Sequence, residues 1–250
     1  MQDKPVRLKV ASHLLIATVY LLVWQLASTA VGSALLLPSP AATLRRFVQL
    51  LSLVESWRAV GMTMARIMGG YLLGVLFGVF LGVLTAKFPF ADALLSPLRG
   101  VIKATPVTSF ILLALLWLSS DAIPLFISLL MVLPIVWANT LEAVLHTDPQ
   151  LLEIARVFRL GRLRTLTRIY IPSVLPQLLA ACTTALGFAW KSGVAAEIIA
   201  LPKRSVGYRL YEAKLSIETI DLFAWTLLVV LLSMLLETLL VRAMRRIGHD

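Results

Sequence analysis

Long apolar runs follow one another through this sequence, and polar, mostly basic segments separate them. A helix of about 20 predominantly apolar residues is long enough to cross the hydrocarbon core of a bilayer. Hydrophobic residues make up 59% of the chain, which exceeds the ~45–50% of an average soluble domain. We therefore predict an all-α, polytopic membrane protein.

The apolar runs predict about six transmembrane helices in one transmembrane domain that covers residues 1–250. The predicted spans are residues 13–31, 62–86, 106–119, 123–144, 172–190 and 222–241. The third span is short, and Pro134 should kink the fourth because proline removes a backbone hydrogen bond. No small-residue cleavage site follows the first run, so we expect it to be a retained span rather than a signal peptide.

The segments between the spans give further expectations. Residues 43–58 predict an amphipathic helix with its apolar stripe on Leu44, Phe47, Val48 and Leu51, lying either along the outer interface or against the bundle. Residues 87–105 are predicted to connect two spans on the cytoplasmic side, and residues 119–121 to form a tight outer turn. Residues 191–221 are expected at the outer face, partly as a short or re-entrant helix.

Four glycines in the second predicted span repeat every fourth residue: Gly70, Gly74, Gly78 and Gly82. This spacing places them on one helix face, where the missing side chains let another helix approach closely. Helix packing is the preferred interpretation, and a helix contact with a direct functional role is the alternative. The pattern is not a phosphate-binding loop, because no Lys-Ser/Thr pair follows it.

The charges indicate membrane topology rather than nucleic-acid binding. The net charge is +10, and 14 of the 23 basic residues fall in the segments that would share one side with both termini. Basic residues favour cytoplasmic loops, so we predict that both termini are cytoplasmic. The single cysteine, Cys182, and the scattered His13, His146 and His249 form no recognisable metal motif.

Residues 148–176 form the most basic connection, with five arginines between two apolar spans. Asp148 can cap a helix and Pro149 suits its first turn. Apolar residues recur at helical spacing on one face: Leu151, Ile154, Ala155 and Phe158. Gly161 is expected to end this helix in a left-handed turn. A second short helix with Leu163, Leu166 and Tyr170 on one side should follow, so we predict two short amphipathic helices joined at a glycine outside the bilayer.

This connection resembles the cytoplasmic "EAA" loop of the permease subunits of ATP-binding cassette (ABC) importers. Glu153-Ile154-Ala155 stands for E-A-A, and residues 169–172, Ile-Tyr-Ile-Pro, stand for I-x-L-P. Arg159 occupies the usual glycine position, and Gly161 follows two residues later. The Leu-Pro-Ser-Pro of residues 37–40, Trp190, and Ala196 with Glu197 extend the resemblance over nearly the whole chain, towards the branch that imports sulfonates, taurine, nitrate and thiamine precursors.

The resemblance implies a transport subunit in the bacterial inner membrane and not an enzyme. A homodimer of it would pass a small substrate, an anion such as a sulfonate or nitrate, from an extracytoplasmic binding protein to the cytoplasm. Two separate ATPase subunits would carry ATP and Mg, and this chain would bind no cofactor. The residues expected to contact the ATPase subunit are Glu153, Ala155, Arg156, Phe158, Arg159 and Gly161. By charge alone, the arginines would instead hold the loop at anionic lipid headgroups.

The candidate pathway residues are Lys191 and Glu197 and, in addition, Trp190 and Thr108. Charges at membrane depth are costly and tend to be functional. If the fifth helix extends past residue 190, Lys191 could attract an anionic substrate with Glu197 as its partner. The alternative is that Lys191 snorkels to the interface and Glu197 lies in the outer loop.

The alternatives to an importer subunit are a stand-alone secondary transporter and an intramembrane enzyme. Secondary transporters often have internal repeats, and none is visible here. No nucleophile–base set or convincing pair of carboxylates is found that would indicate a catalytic site.

Overall fold

The computed structural model describes the backbone of residues 4–247 and the side chains of residues 15–243. Five basic residues used in the topology prediction have side chains outside this range: Lys4, Arg7, Lys9, Arg245 and Arg246. Over residues 4–247 the chain forms helices and turns and contains no strand, which agrees with the predicted all-α class.

Eleven α-helices and one π-helical turn follow one another in the described chain. They are α1 (Lys4–Val31), α2 (Pro40–Ser52), α3 (Val54–Lys87), α4 (Pro89–Ala104), α5 (Val107–Ala114), α6 (Ile123–Leu145), α7 (Pro149–Val157), α8 (Arg162–Thr165), the π turn (Leu166–Tyr170), α9 (Ile171–Ala200), α10 (Val206–Leu215) and α11 (Thr219–Ile247).

Four helical stretches are long and apolar enough to cross a membrane. They are Val54–Lys87, Ile123–Leu145, Arg162–Ala200 and Thr219–Ala243. These stretches contain the predicted second, fourth, fifth and sixth spans. Leu15–Val31 is a shorter apolar helix at the position of the predicted first span.

The predicted third span, residues 106–119, is wrong as a single spanning helix. Its helical part, α5, has eight residues, which extend only about 12 Å. Pro106 is the N-cap of α5, and proline disfavours the helical conformation in the residue before it, so α4 cannot run on into α5. Residues 87–105, predicted as a connection between spans, are mostly the 16-residue α4. The turn predicted at residues 119–121 is present, with the Ala122 amide donating to the Ser119 carbonyl at 2.9 Å.

The amphipathic helix predicted at residues 43–58 begins earlier and ends earlier than expected. Ser39 caps α2 by accepting a hydrogen bond from the Ala42 amide, and Pro40 occupies its first turn, where proline is well tolerated. The helix ends because Leu53 takes an extended conformation. Residues 54–58 therefore already belong to α3.

The described chain divides into two compact units. The smaller unit contains the residues up to Trp57 together with Arg209–Val230. Within it, Arg46 forms a two-pronged ion pair with Asp221, with nitrogen–oxygen distances of 2.6 and 2.7 Å. These hydrogen bonds raise the pKa of Arg46 above its usual value. Arg46 therefore stays positively charged, and its ion pair with Asp221 holds α2 against the start of α11.

The larger unit contains Arg58–Tyr208 and the described residues from Leu231 onward. Its core is the pair α6 and α9, which pack against each other along much of their lengths. Trp137 of α6 is fully buried and donates to the Thr85 hydroxyl of α3 at 2.9 Å. Arg99 of α4 lies over the Trp137 ring, 5.1 Å from its centroid, in the range of a cation–π contact.

The glycine ridge of α3 lies directly against α6. A Cβ atom built on Gly74 or Gly78 would approach the Cβ of Val132 or Val136 to 2.7 or 2.8 Å. The same atom on Gly82 would lie 2.5 Å from the Thr140 Cβ, and on Gly70 it would collide with the Leu125 carbonyl oxygen. All four positions therefore have room only for glycine.

The ridge gives a stability prediction with a control on the same helix. Gly70→Ala should lower the stability of the purified protein by about 1–3 kcal/mol, the usual cost of overpacking, because the backbone of α6 cannot yield easily. Gly61→Ala should be neutral or mildly stabilising, since a Cβ there meets nothing within 4 Å and alanine favours helix. Thermal unfolding in detergent measures both; equal Tm values for Gly70→Ala and the wild type would contradict the prediction.

Candidate functional site

The segment after α6 begins with the capped helix that the sequence predicts. The Asp148 side chain accepts a hydrogen bond from the Gln150 amide at 2.8 Å, and Pro149 occupies the first turn of α7. The carboxylate satisfies one of the four free amides at the helix start. The first helix of residues 148–176 is therefore confirmed, including its cap.

The exposed side of α7 combines apolar and charged residues. Ile154 and Phe158 are 49% and 73% exposed, and Glu153 and Arg156 are also exposed. Val157, which the apolar stripe did not include, is 72% exposed. Large apolar side chains in such exposed positions typically mark an interaction surface. We call Leu151, Glu153, Ile154, Arg156, Val157 and Phe158 the α7 surface.

Ala155 does not belong to this surface. It is 5% exposed and faces its own chain, so the prediction that Ala155 lies against a partner is wrong. Its small side chain instead lets α7 lie close to the rest of the larger unit. An apolar stripe includes residues that pack against their own chain and residues that contact a partner, and the sequence pattern does not distinguish the two.

The prediction that Gly161 forms the left-handed turn is also wrong. The positive φ, +50°, belongs to Arg159, the position at which the resemblance expects glycine. The Leu160 amide donates back to the Ala155 carbonyl at 2.9 Å, as in a Schellman-type helix end. Gly161 has φ −64° and ψ 156° and is the N-cap of α8. The left-handed turn therefore lies at the position where the resemblance expects glycine, and an arginine occupies it.

The predicted second short helix is not a separate element. α8, the π turn and α9 form one continuous helical stretch, Arg162–Ala200. In the π turn the Ile171 amide donates to the Leu166 carbonyl, and this wider turn comes just before Pro172. Proline supplies no amide hydrogen and its ring crowds the carbonyl four residues earlier, so a widened turn lets the helix continue.

α9 extends to Ala200 and places the four pathway candidates in different surroundings. Lys191 and Thr108 are exposed, whereas Trp190 is 2% exposed and Glu197 is fully buried. Six residues of α-helix turn Lys191 and Glu197 about 120° apart. The expected pairing of Lys191 with Glu197 is therefore wrong, and neither Trp190 nor Glu197 lies on a surface that α9 presents.

The partners of Glu197 come from α3 and from the start of α10. Its Oε2 accepts from the Thr63 hydroxyl at 2.9 Å and from the Gly207 amide at 3.0 Å. The Thr63 hydroxyl in turn accepts from the Val206 amide at 3.0 Å. A Cβ on Gly207 would collide with Glu197, so glycine is required for this close approach. Glu197 thereby satisfies a free amide in the first turn of α10.

Arg66 neutralises the buried carboxylate. It is 8% exposed, and one guanidinium nitrogen lies 3.7 Å from the Glu197 Oε1. The other end of the guanidinium pairs with Asp121 in the turn before α6 and lies 3.5 Å from the Lys203 carbonyl. This ion cluster, buried at Arg66 and Glu197 and exposed at Asp121, joins α3, the α5–α6 turn and the α9–α10 loop. Removing Arg66 would leave the buried Glu197 charge unpaired.

Arg66 was not among the site residues predicted from the sequence. A usable signal was present, because Arg66 is the one charged residue between Arg58 and Lys87 in a strongly apolar run. A charge so placed needs a partner within the protein. Within residues 15–243, no three His, Cys, Asp or Glu side chains cluster as metal ligands would.

Comparison with known proteins gives a consistent result. A family model described as "Binding-protein-dependent transport system inner membrane component" matches residues 74–249. A Bacillus subtilis (strain 168) permease protein named for aliphatic sulfonates transport is 28% identical over 84% of this chain and 77% of its own. The taurine transport system permease protein of Escherichia coli (strain K12) is 24% identical over 98% and 89%.

A solved structure shares the fold at low sequence identity. It is a bacterial alginate ABC transporter in complex with an alginate pentasaccharide-bound periplasmic protein, with a TM-score of 0.62 and 15% identity. The match covers 99% of this chain and 98% of that chain.

The left-handed conformation of Arg159 gives a testable prediction about the end of α7. Arg159→Gly should stabilise the loop by about 1 kcal/mol, because a side chain in the left-handed region costs roughly 1–2 kcal/mol. Amide hydrogen exchange across residues 155–165 measures the change. Gly161→Ala is the matched control and should leave exchange unchanged, since a Cβ there meets nothing within 4 Å. Faster exchange in Arg159→Gly, or disruption by Gly161→Ala, would contradict the assignment of the turn.

Proposed function

This chain belongs to the family of binding-protein-dependent transport system inner membrane components, and we propose that its α7 surface couples it to the ATPase subunits of an ABC importer. The chain is thus a permease subunit, a transport component rather than an enzyme. A stand-alone secondary transporter or an intramembrane enzyme is not favoured.

One observation carries the proposed coupling role: α7 presents exposed apolar side chains beside an exposed carboxylate. Phe158 and Ile154 can enter a groove of a partner, as an amphipathic helix does when it docks. Glu153 and Arg156 can set the register through charge pairs at the rim. Anionic lipid headgroups would attract the arginines equally well, but they would not favour an exposed glutamate beside a phenylalanine.

The proposed orientation places the α7 surface and both termini in the cytoplasm. The excess of basic residues in this segment supports it, since the Lys/Arg bias of short loops sets the orientation of membrane proteins. In this orientation the α5–α6 turn and α10 face outward. Two ATPase subunits, which hold ATP and Mg, would then lie on the α7 side, and this chain would bind no cofactor itself.

The proposed assembly also contains an extracytoplasmic binding protein and a second copy of this chain. The family description names binding-protein dependence, and the bound periplasmic protein in the alginate transporter structure gives an example of such a partner. A stripe of α9 is open for the second copy and the pathway: Ala180, Thr184 and Lys191 are exposed and Phe188 is 54% exposed. Apart from Phe188 and the lysine, these side chains are small.

The proposed substrate is a small organic or inorganic anion, such as a sulfonate or nitrate. Lys191 supplies an exposed positive charge on the open stripe of α9, and charges in a transmembrane segment commonly mark a substrate path. The names of the sulfonate and taurine relatives support a sulfonate group. Thr108 is the second exposed pathway candidate.

The coupling role is tested by affinity co-purification in mild detergent. Wild-type permease should retain the ATPase subunit, and Glu153→Arg should lose most of it, because a reversed charge at a docking rim costs several kcal/mol. The readout is the ratio of ATPase subunit to permease after washing, together with the elution profile of the permease itself.

Glu218→Arg is the control, because it reverses another exposed carboxylate, in a segment that the sequence predicts at the outer face. It should leave the ratio unchanged. If no ATPase subunit accompanies even the wild type, the proposed coupling fails. If both reversed variants retain it, Glu153 has no part in docking.

The pathway role of Lys191 is tested by uptake. Lys191→Gln should raise the KM for uptake of taurine, an alkanesulfonate or nitrate about tenfold, while ATPase co-purification stays normal. The loss of one favourable charge interaction of about 1.4 kcal/mol corresponds to that factor. Lys203→Gln, a change in the α9–α10 loop, is the comparison. Unchanged uptake of all three anions by Lys191→Gln would remove Lys191 from the pathway.

A further inference from the structure

An apolar groove of about 490 Å³ lies in the larger unit between the end of α3, the end of α6 and the start of α9. Its walls include Val79 and Val83 of α3 and Val174, Leu175 and Leu178 of α9. Its size is that of an ordinary small-molecule site. The coupling role of α7 does not use it, and neither does the Lys191 stripe.

The two helices that form the walls, α3 and α9, run antiparallel. Thr63 contacts Glu197, Ile67 lies against Gly193, and Tyr71 bonds to the Cys182 carbonyl. Residues further along α3 therefore contact residues that come earlier in α9.

Lys87 and Tyr170 therefore share one end of the groove. Val79 and Leu178, each eight residues away along its helix, lie about 12 Å deeper. A ligand that fits must itself be polar at one end and apolar at the other.

A second polar group lies inside the groove. Thr140 of α6 lines it and is fully buried, yet its hydroxyl has no hydrogen-bond partner among the described residues. Three other buried hydroxyls, those of Thr85, Thr147 and Ser192, donate to carbonyls one turn back, whereas the Thr43 hydroxyl is also without a partner but does not line the groove. A buried hydroxyl left unpaired is costly, so Thr140 calls for an acceptor that occupies the groove.

We propose that this groove binds an anionic phospholipid. An acyl chain would lie along Val79, Val174 and Leu178, an ester carbonyl would accept from the Thr140 hydroxyl, and the phosphate would pair with Lys87. Thr140 packs against Gly82, five residues before Lys87, so the two polar contacts are about 7 Å apart along the helix axis. That spacing suits a phosphate and the neighbouring ester of one glycerolipid.

The polar contacts must supply the selectivity. Lipid tails are as apolar as the residues of the groove, so an acyl chain gains little by leaving the bilayer for it. A basic residue near the membrane surface adds about 1 kcal/mol of attraction for an anionic headgroup. In the proposed orientation the Lys87 end of the groove faces the inner leaflet, but the lipid site itself does not depend on that orientation.

The test is native mass spectrometry of the intact permease, purified with its ATPase subunits and exposed to equal amounts of phosphatidylglycerol and phosphatidylcholine. Wild-type protein should retain phosphatidylglycerol about fivefold better, the factor that corresponds to one such basic contact. Lys87→Gln should bring the two lipids to equal retention. Lys103→Gln, which changes an exposed lysine outside the groove, should keep the preference.

Two further variants separate groove occupancy from surface charge. Thr140→Val keeps the shape that packs on Gly82 and should lower retention of both lipids, whereas Leu175→Trp should fill the groove and abolish retention. Equal retention of both lipids by the wild type would overturn the proposal, and so would normal retention by Leu175→Trp.

A disulfide or cross-link from Val174→Cys to a second copy of the chain would also overturn it, by identifying a protein occupant. Co-purification of the ATPase subunit is scored in the same samples. Glu153→Arg should lose the ATPase subunit and keep the lipid, so failure of the coupling role and failure of the lipid site give different results.

Discussion

Backbone contact between α3 and α6 is the constraint on which the larger unit depends. In lipid, apolar side chains gain nothing from leaving the solvent, so helices associate through close packing and a few polar contacts. Four glycines on one face of α3 bring the two backbones together over a length of about 18 Å. α9 packs against both α6 and α3, so the position of α6 controls where both the α7 surface and the groove are formed.

Polar contacts complete this packing at the two ends of the helices. At one end, Arg66 joins Glu197 and Asp121, and at the other, Trp137 bonds to Thr85 beneath Arg99. Such contacts are few because each buried charge must be paired to be tolerated. Since they tie different helices together, they determine the register at which the glycine ridge meets α6.

Hydropathy and spacing predicted much of this architecture, because both report directly on physical requirements of the bilayer. The second, fourth, fifth and sixth spans, the cap at Asp148 and the turn at residues 119–121 all follow from such requirements. The failures have local causes. Pro106 divides an apolar run that looks continuous, and Leu53 interrupts a helical pattern without any helix-breaking residue to signal it.

The candidate site was predictable in its position and less so in its residues. An apolar stripe cannot show that Ala155 faces inward while Val157 faces outward, because both suit a helix. A glycine two positions late suggested a shifted turn, yet the local hydrogen bonds at the end of α7 place Arg159 in the left-handed conformation. The partner of Glu197 could not be read from spacing either, since Arg66 is 131 residues away along the chain.

The unbroken stretch from Arg162 to Ala200 has a mechanical consequence. Its 39 residues form a rod of about 58 Å, one end of which follows the α7 surface while the other carries Lys191 and Glu197. A displacement imposed at the near end is transmitted to the far end as tilt or rotation, without any chain of rearranging side chains. The π turn lies within the first nine residues of this rod, beside the groove at Tyr170, and the rod continues from Ile171 as α-helix.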